Sequence, residues 1–593
     1  MSDHVAVRMR EAIAANRNRT ATRIREGEGW VTRTYAEFGE RLRRVAQGLL
    51  DAGVETGGRV GIFLGNRPEW SEIDFGAGTV RAVPVPIYAT STPEQIRYIA
   101  QDSGLSVMFV GVQSEAERVL AVADELPALE RIVIVKPYPG MPERLEAYED
   151  FIANPATDAV DARLADATGD DLASIIYTSG TTGDPKGVML QHKALVAQSE
   201  VLDKFFDIRP EDHSLCFLPL SHALERAWTT VVLMHGCMNT YVENARTVAE
   251  QMVLAKPTML VSVPKLYETV YTTAHGKASG SPVKREIFAW ALRIGRHNQY
   301  AYRAGRRPNA WLRAQLKLAD KLVLGSVRDA LGGPKTVLAC GGAPLRIEIE
   351  EFFASIGLPI LQGYGLTEAS PLVTFNAPAD FKEGTVGKVL PGGELRIGDL
   401  GEILYRGPNV MQGYWNNPEA TKDTIDEEGW LRTGDVGYVD TEGFLTITDR
   451  LKDIIVTLGG KNVAPQPIEG LILADPLFEH AVILGDNRPY VTLLVKPSLP
   501  HVEALAAKLH WPGTSVDWMS SNELLEEMKR RVAELTAKLP TQDQPKDTKV
   551  LHDEFTMDNG LLTPTLKVRR REVEKRFKEI VDEMYARYEQ RKR

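Results

Sequence analysis

From Thr178 to Gly187 the chain reads Thr-Ser-Gly-Thr-Thr-Gly-Asp-Pro-Lys-Gly, which places four hydroxyls, three glycines and one lysine in ten consecutive positions, just after the apolar run Leu172 to Ile176. That is phosphate-handling chemistry. Glycines at 180 and 183 let backbone N–H groups turn toward an anion, the hydroxyls of Thr178, Ser179, Thr181 and Thr182 add donors, and Lys186 adds a positive charge. The common nucleotide loop G-x-x-x-x-G-K-[ST] fits nowhere across it, and on composition alone a polar surface loop reads the same way.

Four further segments follow at wide intervals: Gly341-Gly342-Ala343-Pro344-Leu345, Gln362-Gly363-Tyr364-Gly365-Leu366-Thr367-Glu368, Gly429-Trp430-Leu431-Arg432-Thr433-Gly434-Asp435, and Asp449-Arg450-Leu451-Lys452-Asp453. With the loop, they resemble in order and separation the core motifs of the adenylate-forming enzymes, the superfamily of acyl-CoA synthetases, luciferases and peptide-synthetase adenylation domains. The resemblance implies a set of roles. Thr178, Ser179, Gly180, Thr181, Thr182, Gly183 and Lys186 would embrace the phosphates of ATP. Gly341, Gly342 and Ala343 would lie against adenine, where a flat base must approach the backbone closely. Tyr364 beside Gly365 would stack on the same ring, Thr367 would contact the α-phosphate, and Glu368, with Thr178, would hold Mg2+, a hard cation suited to oxygen ligands. Asp435 would accept from both ribose hydroxyls, Arg450 would reach the ribose, and Lys452 would be the pivot between two domains.

A looser match, Asn559-Gly560-Leu561-Leu562-Thr563-Pro564-Thr565-Leu566-Lys567, implies a catalytic lysine at Lys567, with Lys546 and Lys549 as nearby alternatives; many family members carry a glycine where this chain has Leu566. The segments Tyr35 to Phe38, Gly61 to Trp70, Val263 to Glu268 and Leu218-Pro219-Leu220-Ser221-His222-Ala223-Leu224-Glu225-Arg226 look like the long-chain fatty acyl-CoA synthetase branch, so the resemblance covers nearly the whole chain. It implies that His222 stands near the carboxylate end of the acyl site. Trp228 does not sit at the offset of the tryptophan that gates the acyl tunnel in some relatives.

The activity implied has two steps: a fatty carboxylate attacks Mg-ATP to give acyl-AMP and pyrophosphate, and CoA then displaces AMP. Rotation about Lys452 would bring Gly459-Gly460-Lys461-Asn462 to the CoA path for the second step. Each buried methylene contributes about 0.8 kcal/mol, so acids of ten and sixteen carbons would differ by ~5 kcal/mol in a long enough tunnel. Two alternatives stay open: a ligase that stops at acyl-AMP for a carrier protein, and a non-catalytic lipid-binding protein on the same fold.

These residues need a scaffold, and the hydropathy pattern supplies one. Tyr35 to Ala52 has helical spacing, whereas Arg59 to Leu64, Val83 to Ile87, Ser214 to Leu218, Met259 to Val263 and Thr336 to Ala339 read as buried strands. Alternation of this kind predicts an α/β fold, with a large N-terminal domain of stacked, helix-flanked sheets over 1–450 and a small mobile α/β domain over 451–593. Within the large domain, 283–331 reads as an Arg- and Lys-rich helical excursion and about 385–439 as a β-rich subdomain. Beyond Arg450, Ala481 to Leu484 and Val491 to Val495 read as strands and Asn522 to Leu539 as an amphipathic helix. The tail from Lys567 is helical and basic, and Arg569-Arg570-Arg571 raises two readings, a solvated helix face or contact with anionic membrane.

A net charge of −10 argues against a dedicated nucleic-acid binder. Cys216, Cys237 and Cys340 lie too far apart for a C-x-x-C metal or redox motif. Without an apolar leader or a run of about 20 apolar residues, the expectation is a cytoplasmic protein, with peripheral contact at the inner membrane face as a further expectation. The partners expected are a long-chain fatty acid, ATP and CoA.

Overall fold

The computed structural model describes residues 2–178, 184–303, 307–556, 559–562 and 568–592. Spatial clustering divides the chain into two compact units, one of Met1–Arg396, Leu404–Arg432 and Val439–Thr446, the other of Ile397–Ile403, Thr433–Tyr438 and Ile447–Arg593.

In the first unit, two sheets carry the α/β pattern. The smaller is parallel throughout, in the order Val83–Pro86, Arg59–Phe63, Val107–Val110, Arg131–Ile134, Leu145–Ala147. Val83–Pro86 and Val107–Val110 are buried along their whole length, as expected of parallel strands covered on both faces. The larger sheet runs Lys388–Val389, Leu372–Phe375, Leu361–Gly365, Val337–Cys340, Met259–Ser262, His213–Cys216, Met238–Tyr241, Thr20–Glu26, Gly29–Thr34. Its middle is parallel and its margins antiparallel. Separate apolar clusters fill the two sheets' surroundings, one around Ile62, Trp70, Phe109 and Tyr148, the other around Leu260, Tyr267, Leu338 and Phe353.

Local chemistry sets several helix starts. Thr34 and Glu37 form a reciprocal capping box on Tyr35–Asp51, and Thr92 with Gln95 does the same for Pro93–Ser103, which ends on Gly104 at φ 66°. Among the described residues of 283–331 lie Pro282–Arg303, Ala310–Ala319, a π turn at Asp320–Leu324 and Gly325–Asp329. The segment expected to be β-rich contributes Glu394–Ile397, Glu402–Arg406 and Leu431–Val439.

The second unit has its own core. Phe478–Leu484 pairs antiparallel with Thr492–Pro497, which pairs in parallel with Thr548–Val550, and the helices Pro465–Ile472, Leu499–Leu509 and Asn522–Thr536 bury Ile468, Ile472, Val502, Leu524 and Met528 in that core. One residue of the basic tail departs from the solvated reading: Arg570 is half-buried, pairs with Glu469 and donates to the Ile483 carbonyl, so the middle arginine of the triplet is tied into the fold. Among the described residues no helix is long and apolar enough to cross a membrane.

Candidate active site

The strand Leu172–Thr178 folds back on Lys186–Gln191 as an antiparallel hairpin with Thr178 opposite Lys186 and Tyr177 opposite Gly187. Two of the expected phosphate-binding residues thus face each other at the hairpin's mouth; Ser179, Gly180, Thr181, Thr182 and Gly183 lie outside the described residues. The hairpin is tied down from both sides. Tyr98 Oη donates to the Pro185 carbonyl at 3.1 Å, and the Trp415 N–H donates to the Gly187 carbonyl at 2.7 Å. Gly187 is required there, because a Cβ would stand 2.8 Å from the Ile175 side chain.

Gly413–Tyr414 adds a third strand, with Tyr414 opposite Val188. That register puts the buried Tyr414 ring beneath Lys186, whose Nζ is 4.9 Å from the ring centroid, and lets Tyr414 Oη donate to Glu368 Oε1 at 2.9 Å. Lys186 and Glu368, far apart in sequence, therefore share one aromatic partner, which holds the cation by its π face and the carboxylate by its hydroxyl. Burial, followed by the Glu368 charge, raises the Tyr414 pKa well above that of a free phenol, so the hydroxyl stays a donor.

Glu368 rides with Thr367 on the short turn Thr367–Ala369. Met411 N–H donates to the Glu368 carbonyl at 2.8 Å, while Asn409 and Gln198 both donate to the Leu372 carbonyl, at 2.7 and 2.9 Å. Glu368 Oε2 takes no donor among the described residues, and none of their His, Cys, Asp and Glu side chains cluster in threes able to hold a metal. A single carboxylate near a threonine fits a magnesium ion that keeps most of its shell from water and substrate phosphates.

The two glycine motifs emerge side by side. Val337–Cys340 and Leu361–Gly365 are parallel neighbours with Cys340 opposite Gln362, so Gly341-Gly342-Ala343 leaves one strand where Tyr364 and Gly365 end the next. Ligands favour this carboxyl edge of a parallel sheet. Gly342 has φ 80°, and a Cβ on Gly365 would stand 1.8 Å from the Pro371 carbonyl oxygen. Gln362 links the two segments, accepting from Leu345 N–H at 3.3 Å and donating to Glu350 at 2.8 Å.

His222 caps the helix Ala223–Met234, its Nδ1 accepting from Leu224 N–H at 3.2 Å. With Nδ1 as acceptor, the neutral ring carries its proton on Nε2, where it is a donor suited to a carboxylate. Two residues hold the loop before it. Asn66 donates to the Leu218 carbonyl at 2.7 Å and accepts from Leu220 N–H at 3.1 Å, while the fully buried Glu225 accepts from Leu218 N–H at 3.1 Å. Burial pushes the Glu225 carboxyl up to about 8, against partial relief from the Leu218 N–H. Trp228 is buried and donates to Ser214 Oγ at 2.9 Å, a place in the core.

In the second unit, Arg450 Nε stands 3.2 Å from Asp435 Oδ1, so the two expected ribose contacts are already paired. The neighbouring Asp449 accepts from the N–H groups of Arg450 at 2.6 Å and Gln466 at 3.1 Å, fixing the strand end to the helix Pro465–Ile472; burial raises its carboxyl to about 6. Lys452 is exposed in the turn that follows, and Gly459 and Gly460 lie at an exposed hairpin tip with Gly460 at φ 69°. Lys567 lies outside the described residues, between Leu562 and Val568, which form an isolated antiparallel bridge.

Sequence reasoning missed Tyr414, Asn66 and Glu225. The latter two lay inside segments already singled out, where residue type was legible and partner was not.

Residues 9–415 match the AMP-binding enzyme family, and residues 452–589 match the AMP-binding enzyme C-terminal domain. The chain is 37% identical over 560 residues to the long-chain-fatty-acid–CoA ligase FadD15 of Mycobacterium bovis, covering 94% of this chain and 92% of that protein. It is 31% identical over 592 residues to human long-chain-fatty-acid–CoA ligase 6, covering 93% and 82%. Among solved structures, the anthranilate CoA ligase AuaEII in complex with anthranoyl-AMP superposes with a TM-score of 0.73 at 20% identity over 98% of each chain. ATP-bound MatB from Rhodopseudomonas palustris gives 0.72 at 23% identity over 98% of this chain and 100% of that one. At those identities the two structures speak for the fold.

Proposed function

Because the chain belongs to the AMP-binding enzyme family, we propose that it is an AMP-forming ligase that joins a long-chain fatty acid to CoA at the expense of ATP. A carboxylate oxygen of the acid attacks the α-phosphorus, the bond to the bridging oxygen breaks, and pyrophosphate leaves. The CoA sulfur then adds to the acyl carbonyl, the acyl–oxygen bond breaks to release AMP, and the thiol proton passes to solvent. The observation that carries this reading is the convergence of Lys186, Tyr414 and Glu368 beside Thr178 at the hairpin mouth.

Charge handling is the task of that cluster. Lys186 offsets negative charge on the phosphates, Thr367 contacts the α-phosphate, and fixed donors of this kind stabilise a transition state without reorganising. Glu368 and Thr178 would hold magnesium, which when bound spreads charge over phosphate oxygens. The glycine edge of Gly341, Gly342, Ala343 and Gly365, with Tyr364, would take adenine; Asp435 and Arg450 would take the ribose. His222, protonated on Nε2, would orient the fatty carboxylate. Lys567 supplies the second cation of the first step. For thioester formation, a change of backbone torsion at Lys452 exchanges Lys567 for the Gly459-Gly460 hairpin.

Pyrophosphate exchange driven by palmitate and ATP tests the first half-reaction directly. Wild-type exchange and its loss in Lys186→Ala and Glu368→Gln are expected; full exchange in both variants would remove the assigned site.

A further inference from the structure

The helical excursion carries an apolar face that the described residues leave exposed. Trp311, Leu318 and Leu322 are 71%, 51% and 51% exposed, and with the exposed Ala314 they recur at intervals of three and four residues along Ala310–Ala319 and the π turn Asp320–Leu324. The other face of the same helices is spent on the core through Leu312, Ala319, Leu324 and Val327. Flanking the exposed face are Arg313, Lys317 and Lys321, none of which has an ion-pair partner among the described residues. Asp320, within the same stretch, is already paired with Arg328.

Charge identifies the occupant. Residues 283–331 contain eleven Lys and Arg against three Asp and Glu, in a chain whose net charge is −10, so positive charge is concentrated where the apolar side chains are exposed. A helix with Trp and Leu on one face and Lys and Arg beside it lies in the interface of an anionic bilayer, with the rings and branched chains below the headgroups and the amines among the phosphates. A nucleic acid would satisfy the cations and leave Leu318 and Leu322 uncovered. The tail is a weaker candidate, since Arg570 is consumed by Glu469 and Ile483. We propose that Trp311, Leu318 and Leu322, flanked by Arg313, Lys317 and Lys321, dock this protein on the surface of an anionic lipid bilayer. The inference gives a place of capture for the long-chain acid of the proposed reaction, which partitions into bilayers, and it is tested without catalysis.

The test is flotation of the full chain, without substrates, on phosphatidylcholine vesicles with and without phosphatidylglycerol. Binding is expected only where phosphatidylglycerol is present. The partition coefficient should fall at least tenfold in the triple variant Trp311→Ser/Leu318→Ser/Leu322→Ser and in Lys317→Glu/Lys321→Glu, and should be unchanged in Arg569→Gln/Arg571→Gln. Unaltered thermal unfolding of each variant shows that the fold is intact. No binding to either vesicle overturns the proposal, as does loss confined to the tail variant. Loss in the Lys→Glu variant but not in the apolar variant would assign the face to a soluble polyanion. A wild-type dimer that the apolar variant dissolves, with flotation unchanged, would assign it to a second copy of the chain.

Discussion

Replacing Tyr414 with phenylalanine isolates one bond at the centre of the site. The ring remains over Lys186, and only the hydroxyl that donates to Glu368 Oε1 at 2.9 Å is lost. A hydrogen bond to a charged group contributes roughly 1.5–3 kcal/mol net, and Glu368 is half-buried, so water can replace part of the donor and the lower end applies. At about 1.4 kcal/mol per factor of ten, palmitate-dependent pyrophosphate exchange should fall about tenfold in kcat/KM. Tyr414→Leu also removes the cation–π contact, worth roughly 0.5–2 kcal/mol, and should lose a further several-fold. The double variant Tyr414→Phe/Glu368→Gln distinguishes positioning from general loosening. If the hydroxyl acts through the carboxylate, it should be little worse than Glu368→Gln alone, giving a coupling energy of about 1 kcal/mol or more. Full exchange in Tyr414→Phe, or strict additivity with Glu368→Gln, would refute the reasoning.

Three further outcomes are expected. Glu225 is held at about 8 by burial, well above an unfolded glutamate, so the folded state keeps a proton that the unfolded state releases; stability is fully present below about pH 4.5 and falls by ~5 kcal/mol as pH rises through 8. Glu225→Gln should therefore gain stability relative to wild type across that window in urea titrations, and a constant difference would show the carboxyl to be ionised throughout. Arg226→Ala would strand Asp74, which is buried and accepts from Arg226 at 2.6 and 3.0 Å, at a cost of roughly 3–5 kcal/mol in chemical unfolding; a loss below about 1 kcal/mol would contradict the pairing. Lys452→Pro fixes φ at the proposed pivot and should depress thioester formation at least tenfold more than adenylation, measured as separate half-reactions, whereas full rates in both would dismiss the hinge.

Much of the scaffold was legible because its signals are local. Val83 to Ile87 reads as a buried strand from its own residues, and Tyr35 to Ala52 as a helix from spacing; Val83–Pro86 and Tyr35–Asp51 form with ends within a residue. The glycine motif at 341 is found after a strand, as expected, whereas Gln362 to Gly365 belongs to its strand, because antiparallel pairing with Leu372–Phe375 carries the ladder past the apolar run. What depends on distant pairing was hidden. Nothing near Tyr414 announces that it will face Val188 across a sheet and so meet both Lys186 and Glu368. Charge runs were equally opaque, since Arg570 in a basic triplet reads as solvated until Glu469 is seen beside it. Exposure of Trp311 and Leu318 in the excursion likewise follows only from which face the core takes.

The central claim is tested most directly by incubating the purified full-length protein with palmitate and Mg-ATP, with and without CoA, and following the products by mass spectrometry. The account predicts palmitoyl-CoA, AMP and pyrophosphate when CoA is present, palmitoyl-AMP when it is absent, and loss of both acyl products in Lys567→Ala. Palmitoyl-AMP that never becomes thioester despite CoA, or the absence of any AMP, would contradict it.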